Sequence, residues 1–393
     1  MASCKPFEGL LILDLSRYLL GGYVTQYMAD MGARVIKVED TSRGDFTRFE
    51  EPMTKGESFY HYALDRNKES VSFNLKNQDV LQAFYDLVKR ADVVVENYRP
   101  GVTKRLGVDY ETLKALNPRI IHLAYSAYGQ DDPRSQAPLH DINLVAQSGY
   151  YDLIQGRVPA MPPSDFAAVS VGLQSLLTAL YQRERTGEGV FLDVPMSDSF
   201  TWWNSLLDSR WFFFGEQMDH TGCEYPAVGY NVYRTKDDRM IAFGFYEPKF
   251  WEAFLADIDR MDLKDCNKDH VDLNPQAYEE VKKIVASKTY DEWADWMKGK
   301  SHSMALCKNK SEAIAESVAD KPEMQDFIEY PRFGRVLQTN VPHVIGDFRP
   351  SLKESTEPPL LGEQTLKVLG ELGMSEDKVS ELLNCGAVKA PEV

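Results

Sequence analysis

Among the side chains of this chain that can move a proton, three are candidates for catalysis: His140, Asp165 and Glu247. His140 opens "HDINLVAQSG" (140–149), just ahead of an apolar run. Imidazole is the side chain whose unperturbed pKa lies nearest neutrality, so it can both take and give a proton there. Taken alone, a histidine at the mouth of a helix is more often a structural hydrogen-bonding group. Asp141 beside it adds little, because neighbours in sequence usually point apart. Asp165 begins "DFAAVSVGLQSLLTALYQRERTG" (165–187), where an N-cap role is the stronger reading. A carboxylate at that place is stabilised as the anion, which keeps it available as base or nucleophile. Glu247 precedes Pro248 at the end of a strand-like run. A solvated loop carboxylate is the default there, and its interest lies in orienting a histidine.

Cations form a second set. Arg66, Lys68, Arg99 and Arg105 fall near predicted strand ends or in the turns that follow. Ligands of open α/β sheets bind at the carboxyl ends of strands, so basic groups there can hold phosphates. For any one of them, ordinary surface charge is the commoner explanation.

The elements that must position these residues alternate in type. "LLILDL" (10–15), "RVIKVE" (34–39), "SVSFNL" (70–75) and "DVVVEN" (92–97) read as buried strands, with helical stretches between them. "DYETLKALNP" and "RIIHLAYSAYG" add a further helix and strand. This rhythm predicts an α/β fold with a parallel sheet covered by helices. The first turn lacks GxGxxG, so a dinucleotide is not expected despite the Rossmann-like pattern. In 165–187, Phe166, Val169, Leu173, Leu176, Leu177 and Leu180 keep helical spacing, and Gly187 marks the stop. Beyond about residue 200 the texture changes. "TWWNSLLDSRWFFFG" is aromatic, and core or interface packing explains it better than an acyl pocket. "GYNVYRTKDDRMIAFGFYEPKFW" predicts two strands around "TKDD", then a helix from Pro248. The expected division is a large α/β domain over 1–200, a small domain over 225–330, and a linker with a returning C-terminal helix over 331–393.

Composition narrows the function. The chain has 393 residues, 43% hydrophobic and 26% charged, with formal charge −16. That charge argues against nucleic acid and anionic membranes as partners, while a small polyanion needs only a local cationic cluster. No apolar run reaches spanning length, and "MASCKPFEG" has no signal-peptide core, so a cytoplasmic protein is expected. Cys4, Cys223, Cys266, Cys307 and Cys385 are scattered and odd in number, which predicts reduced thiols. The histidines show no metal-binding spacing, so no metal is expected.

Three blocks together carry a family resemblance: "ILDLSRYLLGGYVTQYMADMGARVIKVE", "VVENYRPGVTKRLGVDYETLKALNPRIIHLAYSAYGQ" and "LLTALYQRERTGEGVFLDVPMSD". The chain resembles the class III CoA-transferases (CaiB/BaiF type), and "HDIN" and "EPKF" are most similar to the α-methylacyl-CoA racemase branch. The resemblance implies a Rossmann-like large domain, a smaller α+β domain and an interlocked homodimer. It implies catalytic roles for His140, Asp165 and Glu247. It implies CoA contacts at Arg17, Arg66, Asn67, Lys68, Arg99 and Arg105. Coenzyme A then enters as part of the substrate thioester, with no separate cofactor. Asp40 and Glu69 stand where many relatives carry arginine, which shifts the expected phosphate contacts toward Arg43 and Lys68. "AAVS" replaces a glycine-rich segment after the aspartate, and Leu144 replaces a tyrosine.

The implied chemistry is inversion of an α-carbon by 1,1-proton transfer. His140 and Asp165 act on opposite faces, and Glu247 orients His140. Backbone N–H groups near Asp165 stabilise the enolate. The alternative is acyl-CoA:carboxylate CoA transfer through an aspartyl thioester on Asp165. A third possibility is an acyl-CoA-binding relative without catalysis, in which Asp165 is only a cap.

Overall fold

Each strand of the N-terminal half sends alternate residues to opposite faces of a sheet. Ile12, Val35, Val93 and Val95 pack on one side with Val24 and Met28. Leu13, Ile36, Val71 and Val94 pack on the other with Val80, Phe84 and Leu87. Apolar cover on both faces favours parallel strands. The structure, a computed structural model, describes residues 5–391 apart from 155, 216–225 and 343. Cys4 and Cys223 lie outside the described residues, and Cys266, Cys307 and Cys385 are free thiols. The first residues of "MASCKPFEG" and the last two of "VKAPEV" also lie outside them.

In chain order the elements used below are these. β1 (Leu11–Asp14), α1 (Leu19–Asp30), β2 (Arg34–Glu39), β3 (Lys68–Phe73), α2 (Gln78–Val88), β4 (Val93–Glu96) and β5 (Ile121–Ser126) build the first half of the sheet. α3 (Asp141–Gln147), α4 (Pro163–Thr186), β6 (Phe191–Pro195) and α5 (Met196–Phe214) follow. Then come β7 (Tyr230–Arg234), β8 (Met240–Gly244), α6 (Pro248–Asp257), β9 (Met304–Cys307), β10 (Gln325–Tyr330), β11 (Gly334–Thr339) and β12 (Val388–Lys389).

The large sheet runs in the order β12-β3-β2-β1-β4-β5-β6. Its pairs from β3 to β6 are all parallel, and β12 closes one edge antiparallel to β3. The order 3-2-1-4-5-6 is that of a Rossmann sheet, and it reverses between β1 and β4. A crevice therefore opens beyond the carboxyl ends of those two strands.

The chain divides into two compact units, Met1–Trp203 with Asp320–Val393, and Asn204–Ala319. Residues 320–330 thus belong to the first unit, where β10 and β11 form an antiparallel hairpin. The second unit holds the antiparallel sheet β9-β8-β7 over a core that includes Trp251, Phe254 and Trp293. The β7–β8 turn falls on "TKDD", and α6 starts at Pro248, as the sequence predicts. The rings of Trp202, Trp211, Phe212 and Phe213 on α5 are exposed rather than built into a core. Among the described residues no helix is long and apolar enough to cross a membrane, and no acidic, His or Cys cluster could hold a metal.

One local expectation is corrected. α4 begins at Pro163 with Pro162 as its N-cap, so Asp165 is the third helical residue and not the cap. Proline suits the first helical position because its φ is preset and it has no N–H to satisfy. The pair Pro162–Pro163 therefore starts the helix upstream of the acidic residue. Gly187 ends it in the left-handed region at φ 77°, as expected.

Candidate active site

A cavity of about 570 Å³ lies at the carboxyl ends of β1, β4 and β5 and at the start of α5. Tyr18, Leu19 and Leu20 line it after β1, and Asn97, Tyr98 and Arg99 after β4. Tyr125, Ser126 and Ala127 line it at the end of β5, and Met196 after β6. His140, Asp141 and Asp165 complete the wall. The cavity sits at the place where a doubly wound sheet binds ligands.

His140 is delivered by the start of α3. It occupies the N-cap with extended backbone, and its N–H donates to Asn143 Oδ1 at 3.1 Å. Leu144 and Val145 bury the inner side of that short helix. His140 itself is exposed at the cavity. It is thus both at the mouth of a helix and at the wall of the candidate site.

Asp165 is delivered by the first turn of α4. Its neighbours Ala167 and Ala168 are fully buried, which fixes that turn against the body of the unit. The Asp165 carboxyl is pushed up to about 7, first by burial and then by the charge of Asp141. This reverses the expectation of a carboxylate stabilised as the anion by its helix. The helix N–H groups that would have stabilised it are already engaged. Asp141 Oδ1 accepts from the N–H of Ser164 at 2.6 Å and of Asp165 at 3.1 Å. The N–H of Phe166 donates to Pro162 O at 3.2 Å, and Pro163 has none to offer. The first turn of α4 consequently has no free backbone N–H for an enolate, against the sequence expectation. Asp141 is the residue that sequence reasoning set aside. It caps a helix far from it in the chain, and no local pattern shows that.

The cations are divided. Arg99 lines the cavity and is exposed. Arg17 adjoins it, between the rings of Phe46 and Tyr98 and 3.2 Å from Asp40. Arg105 is exposed on the short helix Val102–Leu106. Arg66, Asn67 and Lys68 lie at the start of β3, away from His140 and Asp165 in their engagements. The Arg66 guanidinium is buried and donates to Asp30 at 3.2 Å, to Gln338 at 2.7 Å and to Thr339 O at 2.9 Å. Asn67 donates to Asp30 at 2.8 Å. Lys68 is buried and bonded to Asp65 at 3.0 Å and to Gly22 O at 3.2 Å. Glu69 is matched by Arg34 and Lys367. Glu247 occupies the N-cap of α6 and is exposed, within the second unit.

The model of CoA-transferase family III matches residues 7–365. The chain belongs to CoA-transferase family III. An acyl-CoA transferase of Fusarium pseudograminearum (strain CS3096) is 30% identical over 98% of this chain and 89% of its own length. Human alpha-methylacyl-CoA racemase is 28% identical over 95% of each chain. A crystal structure of a CaiB/BaiF family protein from Brucella suis superposes with TM-score 0.78 at 22% identity, over 94% of this chain and 99% of that one. The named relatives of this family III chain are mostly CoA-transferases. The family therefore makes it an enzyme of acyl-CoA chemistry, and the choice between racemase and transferase falls to the site.

Proposed function

We propose that the protein inverts the α-carbon of a 2-methylacyl-CoA-like thioester by two-base proton transfer. One observation carries this reading: an imidazole, His140, and a carboxyl raised to about 7, Asp165, line one cavity. A thioester carbonyl acidifies the hydrogen on its α-carbon. The Asp165 carboxylate takes that proton, and the C–H electron pair moves onto the thioester oxygen. The His140 imidazolium then gives a proton to the opposite face, and the pair returns to carbon. The reverse reaction exchanges the roles. Reversibility needs two groups with similar proton affinity, and burial that raises the Asp165 carboxyl to about 7 takes it out of the ordinary carboxylate range toward that condition. Glu247 is assigned the task of orienting His140, and the resemblance to interlocked dimers allows it to come from a second copy of the chain.

A second reading is acyl-CoA:carboxylate CoA transfer, favoured by the names of most relatives. There Asp165 attacks the thioester as an anion. That step leaves the His140 imidazole at the cavity wall without a role. The test is incorporation of solvent deuterium at the α-carbon of a panel of acyl-CoA thioesters, without an acceptor acid. Exchange that is lost in His140→Ala and in Asp165→Ala supports racemisation. No exchange, together with hydroxylamine trapping of Asp165 during turnover, supports transfer instead.

A further inference from the structure

The loop between β1 and α1 is pinned residue by residue. The Lys37 ammonium donates to Ser16 O at 3.2 Å, and the Tyr18 N–H donates to Asp45 Oδ1 at 3.0 Å. Between them, Asn97 holds both backbone groups of Arg17. Its Oδ1 accepts the Arg17 N–H at 2.8 Å, and its Nδ2 donates to the Arg17 carbonyl at 2.7 Å. One side-chain amide thus acts as an extra rung between β1 and β4, where the two strands separate. The result is a backbone that the chain would not choose freely. Tyr18 sits at φ 58°, ψ −146°, a region that is essentially glycine's. Such a conformation persists only where its surroundings over-determine it. What it achieves is the placing of Arg17, whose guanidinium carbon lies 5.4 Å from the Phe46 ring centre and 5.5 Å from that of Tyr98. Tyr18 stacks on the same Phe46 ring at 5.1 Å and lines the cavity with Asn97 and Tyr98.

We infer that Asn97 is a positioning residue for acyl-CoA binding, acting by holding Arg17 in the aromatic slot at the cavity rim. The inference rests on the acyl-CoA reading of that cavity. An asparagine is required because one side must accept and the other donate. Aspartate keeps the acceptor for the Arg17 N–H but sets an oxygen against the Arg17 carbonyl.

The test is a double-mutant cycle on the full chain, with coenzyme A binding measured by calorimetry for wild type, Arg17→Ala, Asn97→Asp and the pair. Asn97→Asp is expected to weaken Kd by ~10-fold, about the worth of one hydrogen bond. Arg17→Ala is expected to lose at least as much. In the Arg17→Ala background the Asn97 change is expected to add less than about two-fold, as for residues that act as a unit. An unchanged Kd in either single variant overturns the inference. So do losses that multiply in the pair, because Asn97 would then act on its own. Should Asn97→Asp fail to fold, Asn97→Ser, too short to reach both groups, replaces it in the same cycle. The α-carbon exchange assay on the same preparations separates the two claims. A wild type that binds coenzyme A without exchange defeats the racemase reading and leaves the cycle intact. A wild type that binds no coenzyme A defeats both.

Discussion

Asp141 Oδ1 accepts the backbone N–H of Asp165 at 3.1 Å, so one aspartate caps the helix on which the other stands. The bond does two opposite things. It satisfies orphan donors of α4, as a cap does. It also brings a negative charge close to the Asp165 carboxyl, which burial has already made reluctant to ionise. Asp141 is itself raised by burial, against the pull of the two N–H groups.

Removing the charge while keeping the cap separates these effects. Asp141→Asn retains a carbonyl oxygen for the N–H groups of Ser164 and Asp165. The Asp165 carboxyl is then expected to titrate below 7 yet above the ordinary carboxylate range, because burial remains. Carbon NMR titration of labelled aspartate carboxyls reads this directly. An Asp165 titration unmoved by the change would show that burial alone sets it.

The same carboxyl makes stability depend on pH. An unfolded aspartate loses its proton near about 3.9, whereas folded Asp165 keeps it up to about 7. Between those values the folded state holds the extra proton, so stability falls as pH rises. Asp165→Asn removes a group that ionises only at a cost. The variant is expected to gain thermal stability over wild type at pH 8 and to match it at pH 4. Other shifted groups, such as Glu96 at about 8, are common to both proteins and cancel in the difference. Equal melting curves at both pH values would refute the assignment.

Gly172 is a glycine in the interior of a long helix, where alanine would ordinarily be worth ~1 kcal/mol more. Here a Cβ would fall 1.8 Å from the hydroxyl of Tyr125, a ring fully buried at the end of β5. Gly172→Ala is therefore expected to destabilise, by about 1–3 kcal/mol in denaturant unfolding. In a Tyr125→Leu background the same change should become neutral or favourable. Destabilisation that persists there would point to another cause.

The strands were legible because each is a local pattern. Runs such as "RVIKVE" and "DVVVEN" alternate with amphipathic helices, and Gly187, "TKDD" and Pro248 mark boundaries by backbone chemistry alone. Residue type and family likeness single out His140 and Asp165 as candidates, and both line one cavity. What the sequence hid depends on distant partners. Asp141 caps α4 across the intervening loop. Asn97 reaches back to Arg17, and Arg66 finds Gln338 near the other end of the chain. A cation beside a strand looks the same in sequence whether it meets a phosphate or a buried aspartate.

Arg66 gives the sharpest test of that ambiguity. Its guanidinium is buried with Asp30, Gln338 and the Thr339 carbonyl, which ties α1 and β3 to the hairpin strand β11. Arg66→Ala leaves the Asp30 carboxylate buried without its main partner. Breaking such a pair by removing one member costs ~3–5 kcal/mol, because the remaining charge is uncompensated. A large drop in the urea midpoint is the expected result, and Arg66→Lys should recover only part of it, since an ammonium cannot span three acceptors in one plane. A cation serving coenzyme A instead would leave the midpoint in place and weaken binding. Measuring both quantities on Arg66→Lys assigns the residue to the fold or to the ligand.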